Sequence, residues 1–74
     1  MNKNYDFMEF AYRLSDAIYE SGKTQKEIGI ECGLSKSEIY KYTAGIRLPN
    51  VYVLSILCAV LNVSADYLLF GVKK

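Results

Sequence analysis

Two helix-start signals of the same kind constrain this chain more than any other feature. Thr24 is followed three residues later by Glu27, and Ser35 is followed three residues later by Glu38. This spacing is typical of a capping box, in which the hydroxyl and the acidic side chain satisfy backbone N–H groups at the start of a helix. Gly33 lies between the two signals, and glycine readily adopts the left-handed backbone that ends a helix. The stretch is therefore predicted to form two short helices joined by a tight turn.

A helix, a glycine-containing turn and a second helix make up the helix-turn-helix arrangement, whose second helix enters the major groove of DNA. The positions that match a known family in this arrangement and after it are Thr24, Gln25, Ile28, Gly33, Leu34, Ser35, Ser37, Ile39, Tyr42, Gly45, Arg47, Leu48, Pro49, Leu54, Leu57, Leu61 and residues 63–71. On these residues the chain resembles the lambda/434 repressor and Cro-like helix-turn-helix domains, which form the XRE family. The resemblance covers roughly residues 10–71. It implies an all-α fold, a compact five-helix lambda-repressor-like DNA-binding domain, with double-stranded DNA as its partner.

Length and charge limit the number of domains and the range of partners. The 74 residues are predicted to form a single domain over residues 1–74, with the helix-turn-helix at 24–45. The net charge of +1 is a mild argument against nucleic acid, because nucleic-acid binders usually carry a basic patch. Residues 24–50 nevertheless hold four basic and three acidic residues, whereas residues 1–23 hold three basic and four acidic ones. The candidate DNA-facing stretch is therefore the less acidic one.

Three further helices are predicted outside the helix-turn-helix. The first starts at Asn4 or Asp6 and carries an apolar stripe at helical spacing. The fourth covers residues 51–61. The fifth is capped by Ser64 and stopped by Gly71, since serine is a favoured N-cap and glycine a favoured helix end.

The second helix of the helix-turn-helix is expected to carry the base-reading residues. Ile39 and Tyr42 lie three positions apart and share the face that should be buried. The residues expected to project outward and to contact bases are Lys36, Ser37, Tyr40 and Lys41. Lysine can donate to guanine, serine can donate or accept, and tyrosine offers its ring to a thymine methyl or its hydroxyl to a phosphate. Glu38 either accepts a hydrogen bond from a cytosine amino group or serves only in the capping box. The alternative for Glu38 and for the four predicted base-contacting residues is that they form an ordinary solvated helix face.

Contacts to the DNA backbone are expected from three other residues. The resemblance implies a phosphate contact for Gln25 at the N-terminus of the first helix of the motif, where backbone N–H groups favour an anion. Ser35, the cap of the second helix, is assigned to the same set. Arg47 is the one charge in the loop that follows, and it is expected to clamp a phosphate beside the groove. The alternative to a phosphate contact is a solvated side chain for Gln25 and a position at the rim of the interface for Arg47.

Arg13 departs from the pattern of the resembled family. In that family an arginine at this place often pairs with an acidic residue near the end of the recognition helix. The matching position here is Thr43, so the pair is missing. Arg13 instead bonds a carbonyl, Glu9 or a phosphate, and the sequence leaves these three open.

The fourth helix is apolar on every side except at Ser55. Leu54, Leu57, Cys58 and Leu61 are expected to face the core, which leaves a second apolar surface that needs a partner. The simplest partner is a second copy of the chain, because helix-turn-helix domains bind two half-sites as symmetric dimers. The residues predicted to form this homodimer interface are Tyr52, Val53, Ile56, Ala59, Tyr67 and Phe70.

The sequence offers no chemistry for catalysis. It has no histidine, no nucleophile beside a base and no metal-ligand cluster, so neither an enzyme nor a cofactor, metal or small-molecule ligand is expected. No apolar run is long enough to span a membrane, and no signal peptide is recognisable, so we expect a bacterial or phage protein of the cytoplasm. The favoured function is a transcriptional repressor that binds an inverted-repeat operator. The alternative is a protein-interaction module, antitoxin-like or antirepressor, that keeps the fold with little DNA binding.

Overall fold

Five helices follow one another in the computed structural model of the chain, which describes residues 4–72. They are α1 (Phe7–Glu20), α2 (Gln25–Cys32), α3 (Lys36–Thr43), α4 (Val51–Leu61) and α5 (Ala65–Phe70). Within residues 4–72 there is no strand. The all-α, five-helix prediction is thus confirmed, and so are the predicted starts of α2 to α5. Of the two starts proposed for the first helix, Asp6 is the N-cap, with its carboxylate accepting from the Met8 N–H.

Both predicted capping boxes are present. The Glu27 N–H donates to Thr24 Oγ1 over 3.1 Å, and the Thr24 N–H donates to Glu27 Oε1 over 2.8 Å. The hydrogen bond from the Thr24 backbone N–H, with that from its hydroxyl, lowers the pKa of the Glu27 carboxyl. Ser35 and Glu38 make the same reciprocal pair at 3.1 Å each. The carboxylate of Glu38 therefore takes the capping role.

The turn between α2 and α3 depends on two glycines with different roles. Gly33 ends α2 with a φ of 71°, a left-handed conformation that other residues rarely adopt. Gly29 lies inside α2, and a Cβ atom built on it would be 3.4 Å from Ile39 Cγ2 of α3 and 3.6 Å from the Leu34 carbonyl oxygen. These distances are ordinary van der Waals contacts, so a methyl group fits between α2 and the residues that follow it.

Replacing Gly29 by alanine is therefore expected to stabilise the protein by about 0.5–1 kcal/mol, because glycine costs about that much inside a helix. For a domain of this size, the melting temperature should rise by roughly 4–8 °C per kcal/mol. Gly33→Ala is the matched control, since the left-handed φ should make the same substitution destabilising there. A lower melting temperature for Gly29→Ala would show that the helices cannot accommodate the methyl group.

The core draws on every helix. Its largest fully buried side chains are Phe10, Leu14, Ile28, Ile39, Leu57 and Leu68. Two of these, Ile28 of α2 and Ile39 of α3, fix the two helices of the motif to the rest of the protein. The orientation of α3 is therefore set by burial of one of its faces.

The face of α4 that enters the core differs from the prediction. Val53, expected on the outer face, is buried with Leu57 and Leu61, whereas Leu54 and Cys58, expected in the core, are half-buried. Residues four apart lie on one side of a helix, so Val53, Leu57 and Leu61 define a stripe centred on Leu57. Because nearly every residue of α4 is apolar, the sequence alone could not place this stripe.

The remaining outer face of α4 is still apolar. Tyr52 and Ala59 are exposed, and Ile56 is half-buried and packs against the edge of the core. Val51 is also exposed. We call Tyr52, Ile56 and Ala59 the α4 outer face.

Arg13 binds the C-terminal end of α5. Its Nε donates to the Leu68 carbonyl over 3.0 Å, and its Nη2 donates to the Leu69 carbonyl over 2.8 Å. The same guanidinium lies 3.5 Å from a Glu9 carboxylate oxygen. The last carbonyls of a helix lack partners within it, and a cation there is favoured by the helix dipole. Two of the options left open by the sequence, a carbonyl and Glu9, are thus both realised.

Tyr5 adds to this junction, since its hydroxyl donates to the Leu69 carbonyl and its ring meets Phe70 edge-on, with centroids 6.2 Å apart.

Because Arg13 bonds two carbonyls of α5, Arg13→Ala is expected to destabilise the protein by about 1–2 kcal/mol, since charge-assisted hydrogen bonds contribute more than neutral ones. Glu9→Gln, which removes only the exposed ion pair, should cost less than about 0.5 kcal/mol. Urea unfolding of the two variants measures both values. Equal losses would contradict a capping role for Arg13.

The two cysteines are free thiols, with Cys32 buried and Cys58 half-buried. Burial raises the pKa of each thiol, which keeps both protonated at neutral pH. Within the described residues, no three acidic or cysteine side chains are grouped to hold a metal ion. None of the helices seen in residues 4–72 has the length and apolar character needed to span a membrane.

Candidate nucleic-acid interface

The second helix of the motif presents one face to solvent and buries the other. Ile39 and Tyr42 are 1% and 5% exposed, and they anchor α3 in the core as predicted. Of the four predicted base-contacting residues, Lys36, Ser37 and Tyr40 are exposed and Lys41 is half-buried. Their spacing of one, four and five positions places them on one side of α3. The four side chains therefore occur together on the accessible side of this helix.

The charges on and after α3 are available for an external anion. The ion pairs formed within residues 4–72 are Arg13 with Glu9 and Lys23 with Glu31. Neither pair involves Lys36, Lys41 or Arg47. Glu38 is the acidic residue of this helix, and its Oε1 already accepts the Ser35 N–H.

The predicted phosphate-contacting residues lie at helix starts and in the following loop. Gln25 is the first residue of α2, so its backbone N–H belongs to the first turn, where N–H groups have no partner in the helix. Its side chain is half-buried. Ser35 is the exposed N-cap of α3, and its Oγ accepts the Glu38 N–H, which leaves the hydroxyl hydrogen free to donate. Both positions lie at helix N-termini, where backbone N–H groups and the helix dipole favour an anion.

The loop after α3 folds back onto the end of that helix. The N–H groups of Ile46 and Arg47 both donate to the Lys41 carbonyl, over 2.9 and 3.2 Å. These bonds hold Arg47 next to the last turn of α3, and its side chain is exposed. A guanidinium in this position can bind a phosphate beside the groove that α3 would enter.

Two further exposed residues of the motif and its following loop were not predicted as contacts from the sequence. Lys26 follows Gln25 in the first turn of α2, is exposed and has no ion pair within the described residues. Ile46 is an exposed apolar residue beside Arg47. The signal for Lys26 was its position after a capped helix start, whereas an isolated loop isoleucine gives no signal in a sequence.

Thr43 stands where the resembled family often has an acidic residue. Its Oγ1 donates back to the carbonyls of Ile39 and Tyr40, at 3.2 Å each. The hydroxyl is thus used within α3.

The residues predicted for a dimer interface fall into three groups. Tyr52, Ala59 and Phe70 are exposed, Ile56 and Tyr67 are half-buried, and Val53 is buried in the core. Val53 therefore has no side-chain surface to offer to a partner. The other five lie on α4 and α5, which pack against each other.

One of three comparisons with known proteins gave a match, and it covers the motif. A sequence model of the helix-turn-helix family matches residues 14–68, which include all of α2, α3 and α4. Comparison with curated proteins gave no match, and neither did comparison with solved structures. Because the family match covers more than half of the chain, the chain belongs to the helix-turn-helix family of the Cro and lambda/434 repressor type, the XRE family of DNA-binding transcription regulators.

Proposed function

We propose that this protein represses transcription in the cytoplasm of a bacterium or phage by binding an inverted-repeat operator as a homodimer. The observation that carries the proposal is the outward face of α3, where Lys36, Ser37 and Tyr40 are exposed above a side anchored by Ile39 and Tyr42. A helix held in this way can enter the major groove with its side chains at the base edges.

Each part of the interface would have a distinct task. Lys36 and Lys41 would donate to guanine O6 and N7, and Ser37 would bond a base edge. Gln25, Ser35 and Arg47 would hold phosphates on either side of the groove and fix the register of α3 on the duplex. Repression would follow if the operator overlaps a promoter, because the bound protein would exclude the polymerase.

The homodimer rests on the apolar surface of α4 and α5. The α4 outer face and the exposed ring of Phe70 present apolar area that a single copy does not bury. A two-fold axis through this surface would use the same patch on both copies and would place two α3 helices for two half-sites. Val53 has no part in it, since its side chain is in the core.

The number of cations on the proposed interface sets an upper limit on how steeply binding can depend on salt. Lys26, Lys36, Lys41 and Arg47 give a dimer at most eight cations on this surface. Each neutralised phosphate contributes about 0.9 to the slope of log K against log salt, so the slope should be no steeper than about −7. Titrations of one operator between low and physiological salt would measure it. A steeper slope would show that cations outside this set contact the DNA.

The experiment that tests the proposal is selection of bound duplexes from a random DNA library by the purified protein at physiological salt. We expect enrichment of an inverted repeat with half-sites about one helical turn apart. Enrichment of a single half-site would keep sequence-specific binding and overturn the dimer. If protein that is folded by circular dichroism enriches nothing, the proposed function is wrong.

A second candidate function is a protein-interaction module on the same fold. The net charge of +1 and the apolar α4 outer face favour it, because both suit a protein partner at least as well as DNA. The failed selection just described, together with a monomeric state in solution, is the result that would support it.

A further inference from the structure

Tyr40 is the one large ring on the α3 outward face, and its side chain has no evident role in the fold. It is 57% exposed, although tyrosine has a large apolar ring. Within residues 4–72 its ring has no aromatic partner, and its hydroxyl makes no hydrogen bond. The side chain therefore contributes little to stability, and its ring is free to be buried against an external surface.

The neighbours of Tyr40 determine what that surface can be. Lys36 lies one turn before it on the same side of α3, and Lys41 follows it directly in the sequence, so cationic residues flank Tyr40 along the helix. Ser37, three residues earlier, adds a short polar group. Tyr40 is thus the one large apolar group among the four outward residues, and it lies in the second turn of the helix.

The major groove has one apolar feature, the C5 methyl group of thymine, while the other base-edge groups are donors and acceptors. The first turn of a recognition helix comes closest to the base edges. A residue in the second turn needs a long side chain to reach them, and tyrosine has one. A thymine methyl also projects from the base into the groove, which shortens the gap.

On the basis of the proposed function, we infer that the ring of Tyr40 contacts a thymine methyl group and thereby makes the protein prefer T·A at one position of each half-site. Lys36 would read a guanine in the same half-site. Four residues of helix span about 6 Å. Base pairs rise by about 3.4 Å, so the thymine and the guanine should be about two base pairs apart.

Uracil provides the test, since deoxyuridine differs from thymidine only by the missing methyl group. Operators recovered by selection would be synthesised with one thymine at a time replaced symmetrically in both half-sites. At one position, wild-type protein should bind about fourfold more weakly per half-site, the loss expected for one buried methyl group. Tyr40→Ala should bind the thymine and uracil operators equally.

Two variants test whether the ring of Tyr40, and not its hydroxyl or a neighbouring cation, makes the contact. Tyr40→Phe should keep the preference for thymine over uracil, because it retains the ring. Lys41→Ala should keep it as well, because that change leaves the ring in place. Replacing cytosine by 5-methylcytosine, in an operator that carries C·G at the Tyr40 position, should recover part of the affinity.

The outcomes distinguish this inference from the function on which it rests. If an operator is selected but uracil is tolerated at every position, Tyr40 does not read a methyl group and the regulator remains. If Tyr40→Phe loses the preference, the hydroxyl and not the ring makes the contact, and the inference is wrong. If folded protein selects no operator, both the function and the inference fail.

Discussion

Val53→Lys is expected to unfold this protein, whereas the same substitution at the adjacent Tyr52 should leave it folded. Val53 is 9% exposed and packs with Leu57 and Leu61, while Tyr52 is 72% exposed. A lysine at position 53 would put an unpaired charge into the core, at a cost of about 3–5 kcal/mol. The stability expected for 74 residues is about 4–11 kcal/mol, and a single core in a domain this small rarely supplies more than about 3–5 kcal/mol, so little or none would remain.

Thermal melts followed by circular dichroism would measure both variants at one low protein concentration. A cooperative transition near the wild-type temperature for Val53→Lys would show that the side of α4 assigned to the core is wrong. Loss of the transition for Tyr52→Lys would show that Tyr52 belongs to the core.

Sedimentation of the Tyr52→Lys variant tests the proposed interface independently. A charge on the α4 outer face should convert the dimer to a folded monomer, since like charges would meet across a two-fold axis. A variant that stays dimeric would place the interface elsewhere on the protein.

Lys36→Ala is expected to weaken binding to the operator by at least about 30-fold and to relax the preference at one base pair of each half-site. A specific base contact contributes about 1–3 kcal/mol, and a symmetric dimer makes the contact twice. Lys36 lies in the first turn of α3, is exposed and takes part in no ion pair within residues 4–72. The substitution should therefore change DNA binding and leave the melting temperature nearly unchanged.

Arg47→Ala is the matched control for Lys36→Ala. It also removes one cation per protomer, but from the loop that follows α3. A phosphate contact carries no base information, so this variant should lose affinity to the same extent on all duplexes. If Lys36→Ala behaves in the same uniform way, Lys36 contacts a phosphate and not a base.

The parts of the fold that the sequence predicted are those set by local chemistry. Thr24 and Ser35 each lie three residues before a glutamate, and the hydrogen bonds they form depend on almost nothing beyond that spacing. Ile39 and Tyr42 were placed in the core because the rest of α3 is polar enough to leave one choice of face.

The parts that it missed depend on distant residues. In α4 nearly all positions are apolar, so the side that faces the core is decided by packing against α2 and α5 and not by periodicity. Arg13 and the carbonyls of Leu68 and Leu69 are more than fifty residues apart, and nothing local indicates that they meet. The wrong placement of Val53 and the undecided role of Arg13 have this common cause.

For the candidate site, the sequence identified the helix and most of its outward residues. Ile46 lies beside the end of α3 because its N–H donates to the Lys41 carbonyl, a contact that the sequence does not indicate. The choice among the possible contacts of Tyr40 likewise needed its exposure and its lack of internal partners within the described residues.

The measurement that tests sequence-specific DNA binding most directly is a competition at physiological salt between the selected operator and a shuffled duplex of the same base composition. The two duplexes carry the same charge, so general attraction to phosphates cancels and only base readout and DNA shape remain. We expect the operator to be bound at least about 1,000-fold more tightly, the lower end for specific regulators. Equal affinity for the two duplexes would contradict the assignment of α3 as a base-reading helix.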